Sequence, residues 1–169
     1  MRPKASFSSP SERGVETVIK VCISGVPGTG KTTICDILSD RGYSCKHLDV
    51  VAASAGCLHG DEVDIERLNS QRIEAFAVEG HYAHLLDCRL VIILECGEID
   101  LRKRLLSRGY PKSKIDENVD VQLSGILYFE ALDRLPAGRI LRIDTCSMGA
   151  DEVVERIIQF VGRTDSINL

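Results

Sequence analysis

No stretch of the 169-residue chain approaches the roughly 20 consecutive apolar residues that a membrane-spanning helix needs, so no membrane association is expected. Cys22, Cys35, Cys45, Cys57, Cys88, Cys96 and Cys146 form no C-x-x-C pair and no cysteine/histidine cluster with zinc spacing. Their odd number and scatter through strand and helix positions read as buried thiols in a reducing cytosol, which makes the expected location cytoplasmic. An excess of positive charge is also lacking. The formal net charge of -4 argues against a generic polyanion binder, and no direct sequence-specific nucleic-acid binding is expected. Residues 1–17 are rich in Ser with Pro3, Pro10, Arg2, Lys4 and Arg13, lack the apolar run of a signal peptide, and read as a flexible leader. There is no internal repeat. Charged residues at 27% and hydrophobic ones at 44% are ordinary for a globular domain, and one domain over 18–165 is the expectation.

Against these absences stands one dense motif. Gly25-Val26-Pro27-Gly28-Thr29-Gly30-Lys31-Thr32 is a complete G-x-x-x-x-G-K-[ST] loop. The apolar, β-branched run Val18 to Ile23 before it predicts a strand, and Thr33 to Leu38 after it predicts a helix. Loop glycines let backbone N-H groups turn onto phosphate oxygens, and a helix opening at Lys31 adds its positive end. Lys31 would reach the β and γ phosphates, and the Thr32 hydroxyl would serve Mg²⁺, which takes oxygen ligands.

Further along, the first helix runs to Arg41 and stops at Gly42, and Ser44 to Asp49 is a second strand. Val50 to Asp61, with Gly56, Gly60 and little periodicity, reads as a mobile connection. Asp64 to Ile73 predicts a short helix and Ala75 to Glu79 a strand. Arg89 to Glu95 holds Leu90, Val91, Ile92, Ile93 and Leu94 in one block, as in a strand buried on both faces of a parallel sheet. Asp100 to Arg108 follows as a basic helix broken at Gly109 and Pro111. Lys114 to Leu135 reads as one long helix, Arg139 to Ile143 as a last strand, and Asp151 to Val161 as a closing helix. Five strands alternating with helices imply an α/β fold with a doubly wound five-stranded parallel sheet.

Glu79 ends a predicted strand, and carboxyl ends of strands in such sheets face the ligand crevice. There it could hold Mg²⁺ through water or orient a nucleophile, the ordinary alternative being a solvated glutamate. His81, beyond Gly80, could orient water or stabilise charge on a transferring phosphoryl group, although a lone histidine is more often structural. Gly80 would let backbone approach a ligand closely. His84 reads as a helix-face residue. Arg102, Lys103, Arg104 and Arg108 form a basic cluster. Arg102 and Lys103 read as a solvated face, and Arg108, where the helix breaks, is the better candidate for binding phosphate.

The succession of Gly25-x-Pro27-Gly28-Thr29-Gly30-Lys31-Thr32, then Glu79-Gly80-His81, then Arg108-Gly109-Tyr110 followed by Lys114 and Glu117-Asn118, resembles the CINAP-type adenylate kinase family, also called adenylate kinase isoenzyme 6, and most closely its archaeal members. The resemblance spans roughly Val18 to Val161. It implies a P-loop nucleoside triphosphate hydrolase fold of the adenylate kinase type, with a short AMP-binding region near 50–74 and a short lid near 108–118. It also implies transfer of the γ-phosphoryl of ATP to AMP with Mg²⁺, an associated ATPase activity, and a role in small ribosomal subunit maturation through a small-subunit ribosomal protein and the pre-ribosome. Carried over, Gly25, Gly28, Thr29, Gly30, Lys31, Thr32, Thr33, Arg108 and Asp144 bind nucleotide, Lys31, His81 and Arg108 are catalytic, and Thr32 and Glu79 serve the metal. Arg142 to Thr145 is the segment that passes the adenine. Two alternatives stay open: an ATP-dependent assembly factor with incidental phosphotransfer, and a kinase for another small-molecule acceptor. The chain departs from the family pattern at Val50 to Asp64 and at Val119-Asp120-Val121-Gln122, where an Ala-Glu pair is more usual.

Overall fold

The computed structural model describes residues 19–167, so the leader at 1–17 lies outside the described residues. The chain runs through β1 (Ile19–Ser24), α1 (Lys31–Asp40), β2 (Cys45–His47), α2 (Leu48–Ser54), β3 (Leu58–His59), β4 (Glu62–Val63), α3 (Ile65–Asn69), β5 (Ala77–Glu79), β6 (Cys88–Glu95), α4 (Glu98–Ser107), α5 (Lys112–Ser124), α6 (Ile126–Leu132), β7 (Ile140–Asp144) and α7 (Ala150–Ile167). Five strands form one sheet in the order β2-β5-β1-β6-β7, every adjacent pair parallel. This is the doubly wound sheet expected from the alternation of strands and helices.

Both faces of the sheet are covered, which is why β6 is buried continuously from Leu90 to Leu94. On one face Val21, Ile23, Leu90, Ile92 and Ile143 meet Ile34 and Leu38 of α1 and Val153, Val154, Ile157 and Val161 of α7. On the other, Cys22, Val78, Val91 and Ile93 meet Leu48 and Ala52 of α2, Leu101 and Leu105 of α4, Val119 of α5 and Leu127 of α6. The chain passes from β1 outward to β2, returns to β5, and crosses to β6 on the other side of β1. The carboxyl end of β1 is therefore the switch point at which such sheets open a crevice.

Four expectations are corrected. The segment from Val50 to Asp61 is not an unstructured connection: α2 occupies its start because Leu48 and Ala52, one turn apart, both bury, and β3 and β4 then pair as a small antiparallel hairpin around Gly60 at φ 65. The second strand accordingly ends at His47, two residues short of its expected end. The long helix over 114–135 is two helices, because Gly125 takes φ 67, a left-handed conformation that ends α5. Four cysteines are bridged rather than reduced. Cys35 of α1 pairs with Cys45 of β2, and Cys96 with Cys146, brought alongside by the β6–β7 register that sets Glu95 opposite Asp144. Cys22 and Cys57 are buried free thiols, as expected, and Cys88 is a half-buried one. No helix among the described residues is long and apolar enough to cross a membrane.

Candidate active site

The loop from Gly25 to Thr32 leaves the end of β1 and enters α1, whose preceding residue Gly30 has φ 94. Gly28 has φ 91, which a β-carbon disfavours. Gly25 is required for a different reason: a β-carbon there would lie 2.6 Å from Thr29 Oγ1 and 2.7 Å from the Leu94 carbonyl oxygen. The loop is braced from outside. Arg104 Nη1 donates to the Gly28 carbonyl at 3.0 Å, Thr145 Oγ1 donates to the Thr29 carbonyl at 2.7 Å, and Leu101 and Leu105 back Gly28. Thr29 itself is buried, its hydroxyl donating to the Val26 carbonyl at 2.8 Å. Arg104 and Thr29 thus shape the loop.

Lys31 curls back over the loop, its Nζ donating to the carbonyls of Gly25 at 2.8 Å and Val26 at 3.1 Å. Burial is the main cause that lowers its pKa to about 8, with Arg108 adding to the effect and Glu79 and Asp49 opposing it. Anionic phosphate oxygens beside Nζ would favour the charged ammonium and raise this pKa again.

Two cavities of similar size flank the loop. One, of about 510 Å³, is lined by Lys31, Thr32, Glu79, His81 and Arg108, with Leu48, Asp49, Leu58, Asp61, Tyr82 and Tyr110 farther out. The other, of about 530 Å³, lies beyond Gly30 and Thr33 and is lined by Arg104, Arg108, Thr145, Met148 and Val153. Gly30, Thr33 and Arg108 border both. Arg108 is exposed at the end of α4 and has no ion-pair partner among the described residues, whereas Arg102 is bound to Glu98 and to Asp116 at 2.6 Å and joins α4 to α5. Lys103 is exposed with a distant Asp100, as a solvated side chain would be. Asp144 lines neither cavity. Its carboxylate accepts the Cys146 backbone N-H at 2.9 Å, and its neighbour Thr145 faces the second cavity instead.

Glu79, buried at the end of β5, lies across the parallel ladder from Ile23 on one side and His47 on the other. His47 Nδ1 is 2.6 Å from Glu79 Oε1, and its Nε2 is 3.7 Å from Asp36. Sequence reading missed His47. It ends a three-residue strand, and only its pairing with β5 puts it beside Glu79. Oxygens from Thr32 and Glu79 in one cleft suit Mg²⁺ chemically, and no group of three or more His, Cys, Asp or Glu among the described residues offers a cage of protein ligands. A Mg²⁺ ion with few protein contacts and several waters and phosphate oxygens fits that donor set.

His81 Nδ1 donates to the Gly25 carbonyl at 3.2 Å, and its ring packs edge-on against Tyr82. Burial lowers its pKa, the Gly25 bond opposes this, and the charges of Lys31 and His84 add to it. Gly80 makes a close approach, but to protein: a β-carbon there would sit 2.6 Å from Leu48 Cβ, so this glycine seats α2 against β5. His84 is not on an exposed helix face. It is buried in the short turn Ala83–Leu85, bonded to Ser24 and Glu130. Ser24, Glu130 and Asp49 likewise gave no signal in the sequence, because their neighbours lie 46 to 60 residues away for the first two and Asp49 falls in a segment read as strand.

A family model described as "AAA domain" matches residues 21–125. A Thermoplasma acidophilum protein named "Putative adenylate kinase" is 48% identical over 84% of this chain and 97% of its own length. A protein of the same name from Thermoplasma volcanium is 42% identical over 85% of this chain and 94% of its own length. Among solved structures, the shikimate kinase of Acinetobacter baumannii, in complex with shikimate, superposes with a TM-score of 0.61 at 16% identity, covering 88% of this chain and 96% of that one. That likeness is one of fold alone.

Proposed function

The chain belongs to the P-loop family that these archaeal adenylate kinase relatives represent, and from that premise we propose that it transfers the γ-phosphoryl group of ATP to AMP to give two ADP. The observation that carries the proposal is the pair of cavities flanking one phosphate loop, with Arg108 bordering both. The nucleoside of ATP would occupy the cavity bounded by Thr145 and Met148, and the acceptor the one bounded by Leu48, Asp61 and Tyr82. The region 50–74 would then close over AMP, and the segment 108–118 would act as a lid. Gly25, Gly28, Gly30, Thr32 and Thr33 would hold the triphosphate, with Thr29 and Asp144 shaping their surroundings.

Phosphoryl transfer leaves the protein little covalent work, so positioning and positive charge carry the rate. Lys31 and Arg108 supply that charge at the γ-phosphate. Thr32, and Glu79 through water, would hold Mg²⁺, which when bound neutralises charge on the β and γ oxygens. His81 would orient water when no acceptor is present, which accounts for an ATPase side reaction. A coupled assay for ADP with purified protein tests the proposal: ADP formation should require AMP and rise well above the rate with ATP alone. A rate that AMP does not change, but that another hydroxyl or phosphate acceptor raises, would replace AMP in this reading.

A second reading, an assembly factor whose grip on a small-subunit ribosomal protein follows nucleotide state, is supported by exposed Leu123, Ile126 and Phe129 at the α5–α6 junction, 62%, 45% and 61% accessible. Pull-down against small-subunit proteins with and without ATP separates it from simple metabolism of nucleotides. Capture that ignores ATP would remove the switch.

A further inference from the structure

Beneath the phosphate loop lies a buried polar relay that the transfer reaction as described does not use. Ser24 and His84 are 0% and 1% exposed. Ser24 Oγ lies 2.8 Å from the His81 carbonyl oxygen and 2.8 Å from His84 Nδ1. The other ring nitrogen, His84 Nε2, lies 2.7 Å from Glu130 Oε2 on α6. On the far side, the His81 ring touches the Gly25 carbonyl, on which Lys31 also sits.

Counting protons decides what this geometry needs. A carbonyl oxygen only accepts, so the single hydroxyl proton of Ser24 goes to His81. The Ser24 oxygen must then accept from His84, which places a proton on Nδ1. An ionised carboxylate also only accepts, and a bare ring nitrogen against it at that distance would repel it. One further proton must therefore lie between Nε2 and Glu130, on whichever atom holds it. All three bonds exist together only when the pair carries that proton.

We propose that His84 is a positioning residue for nucleotide turnover: through the proton it shares with Glu130 it fixes the Ser24 hydroxyl on the His81 carbonyl, and so holds the His81 ring against the mouth of the phosphate loop. This rests on the reading of the cleft as a phosphoryl-transfer site. The charged and titratable groups that act on His84 are Glu130, Arg134 beyond the end of α6, and His81 on its own segment, and Arg134 is itself paired with Asp87 at 2.7 Å. Burial is the larger effect and holds the His84 pKa below its ordinary value, while the bond to Glu130 opposes it. When the shared proton leaves as pH rises, either the Ser24 hydroxyl swings to Nδ1 and abandons His81, or the Glu130 bond breaks.

Nitrogen NMR of the histidine rings in the full chain reads the arrangement without any enzyme assay. At pH 7 His84 should carry a proton on Nδ1, and the His81 ring signals should shift in S24A. A His84 protonated on Nε2 alone would overturn the proposal. Kinetically, H84A should lower kcat on the order of ten-fold, the scale of a small misplacement at a reacting centre, while KM for ATP changes less than about two-fold. H84N, whose amide still reaches Ser24, should recover most of that loss. E130Q supplies its own N-H to His84 Nε2, so the part of the alkaline fall of kcat that follows loss of the shared proton should vanish, leaving only the fall set by Lys31, whose pKa is about 8. An unchanged alkaline limb in E130Q, or a folded H84A with wild-type kcat, would each refute the relay. If H84A does not fold, E130Q and the ring spectra still decide. Absence of AMP-dependent ADP formation by the wild type would instead end the adenylate kinase reading, and the ring spectra would judge the relay by themselves.

Discussion

Lys31 gives the most quantitative test of the cleft. Among the described residues its ammonium is bound by the Gly25 and Val26 carbonyls alone, and its burial lowers its pKa from 10.5 to about 8. In the unfolded chain the ordinary value returns. Between the two values the unfolded chain binds a proton that the folded chain does not, so stability rises with pH across that window. Below pH 8 both states are charged, and the folded state bears the full cost of the buried ammonium. At about 1.4 kcal/mol per pH unit the window is worth about 3 kcal/mol. K31M removes the ionisation and leaves every other titrating group in place. The free energy of unfolding of the wild type minus that of K31M, from urea denaturation, should therefore climb by about 3 kcal/mol between pH 8 and pH 10.5. A difference that stays flat over this range would refute the reasoning, since it would mean that Lys31 keeps its solvated proton affinity. The same linkage acts on ligand: a non-hydrolysable ATP analogue should bind the wild type up to about ten-fold more weakly per pH unit above 8, and K31M weakly at every pH.

Other perturbations probe separate parts of the site. E79Q should raise the Mg²⁺ concentration needed for half-maximal activity by about 10- to 100-fold, the range for a group that holds a metal through another ligand, and an unchanged Mg²⁺ titration would remove Glu79 from the metal site. G80A should destabilise the fold by about 1–3 kcal/mol in urea, because its β-carbon meets Leu48 of α2, and wild-type stability would show that α2 does not pack there. Cleaving the Cys96–Cys146 bridge by C146S should lower stability by about 4 kcal/mol, since it closes a loop of 50 residues, and equal midpoints for C146S and wild type would show that the bridge does not form.

Much of the architecture was legible locally. The apolar block of β6 announced a strand buried on both faces, and the loop between β1 and α1 announced a phosphate site, because each is written in consecutive residues. Glycines marked the stops after α1 and α4, where Gly42 and Gly109 take φ 89 and 76. The periodicity reading overran at Gly125, since the apolar positions of α5 and α6 continue one pattern although the backbone turns between them. It also failed over 48–54, where a helix of seven residues buries only Leu48 and Ala52 and so shows too short a period to read.

By itself, then, the sequence determined the phosphate loop, the five strands of the parallel sheet, and Lys31, Thr32, Glu79, His81 and Arg108 as the residues to look for, because loop chemistry and strand ends are local properties. Only the tertiary structure decided what stands beside them. The parallel pairing of β2 with β5 puts His47 on Glu79, the packing of α6 against the Ala83–Leu85 turn puts Glu130 on His84, which in turn meets Ser24, and the β6–β7 register brings Cys96 to Cys146. Each of these contacts joins residues at least 32 positions apart. Their partners are set by which strand lies next to which, and no local pattern of residues encodes that neighbour.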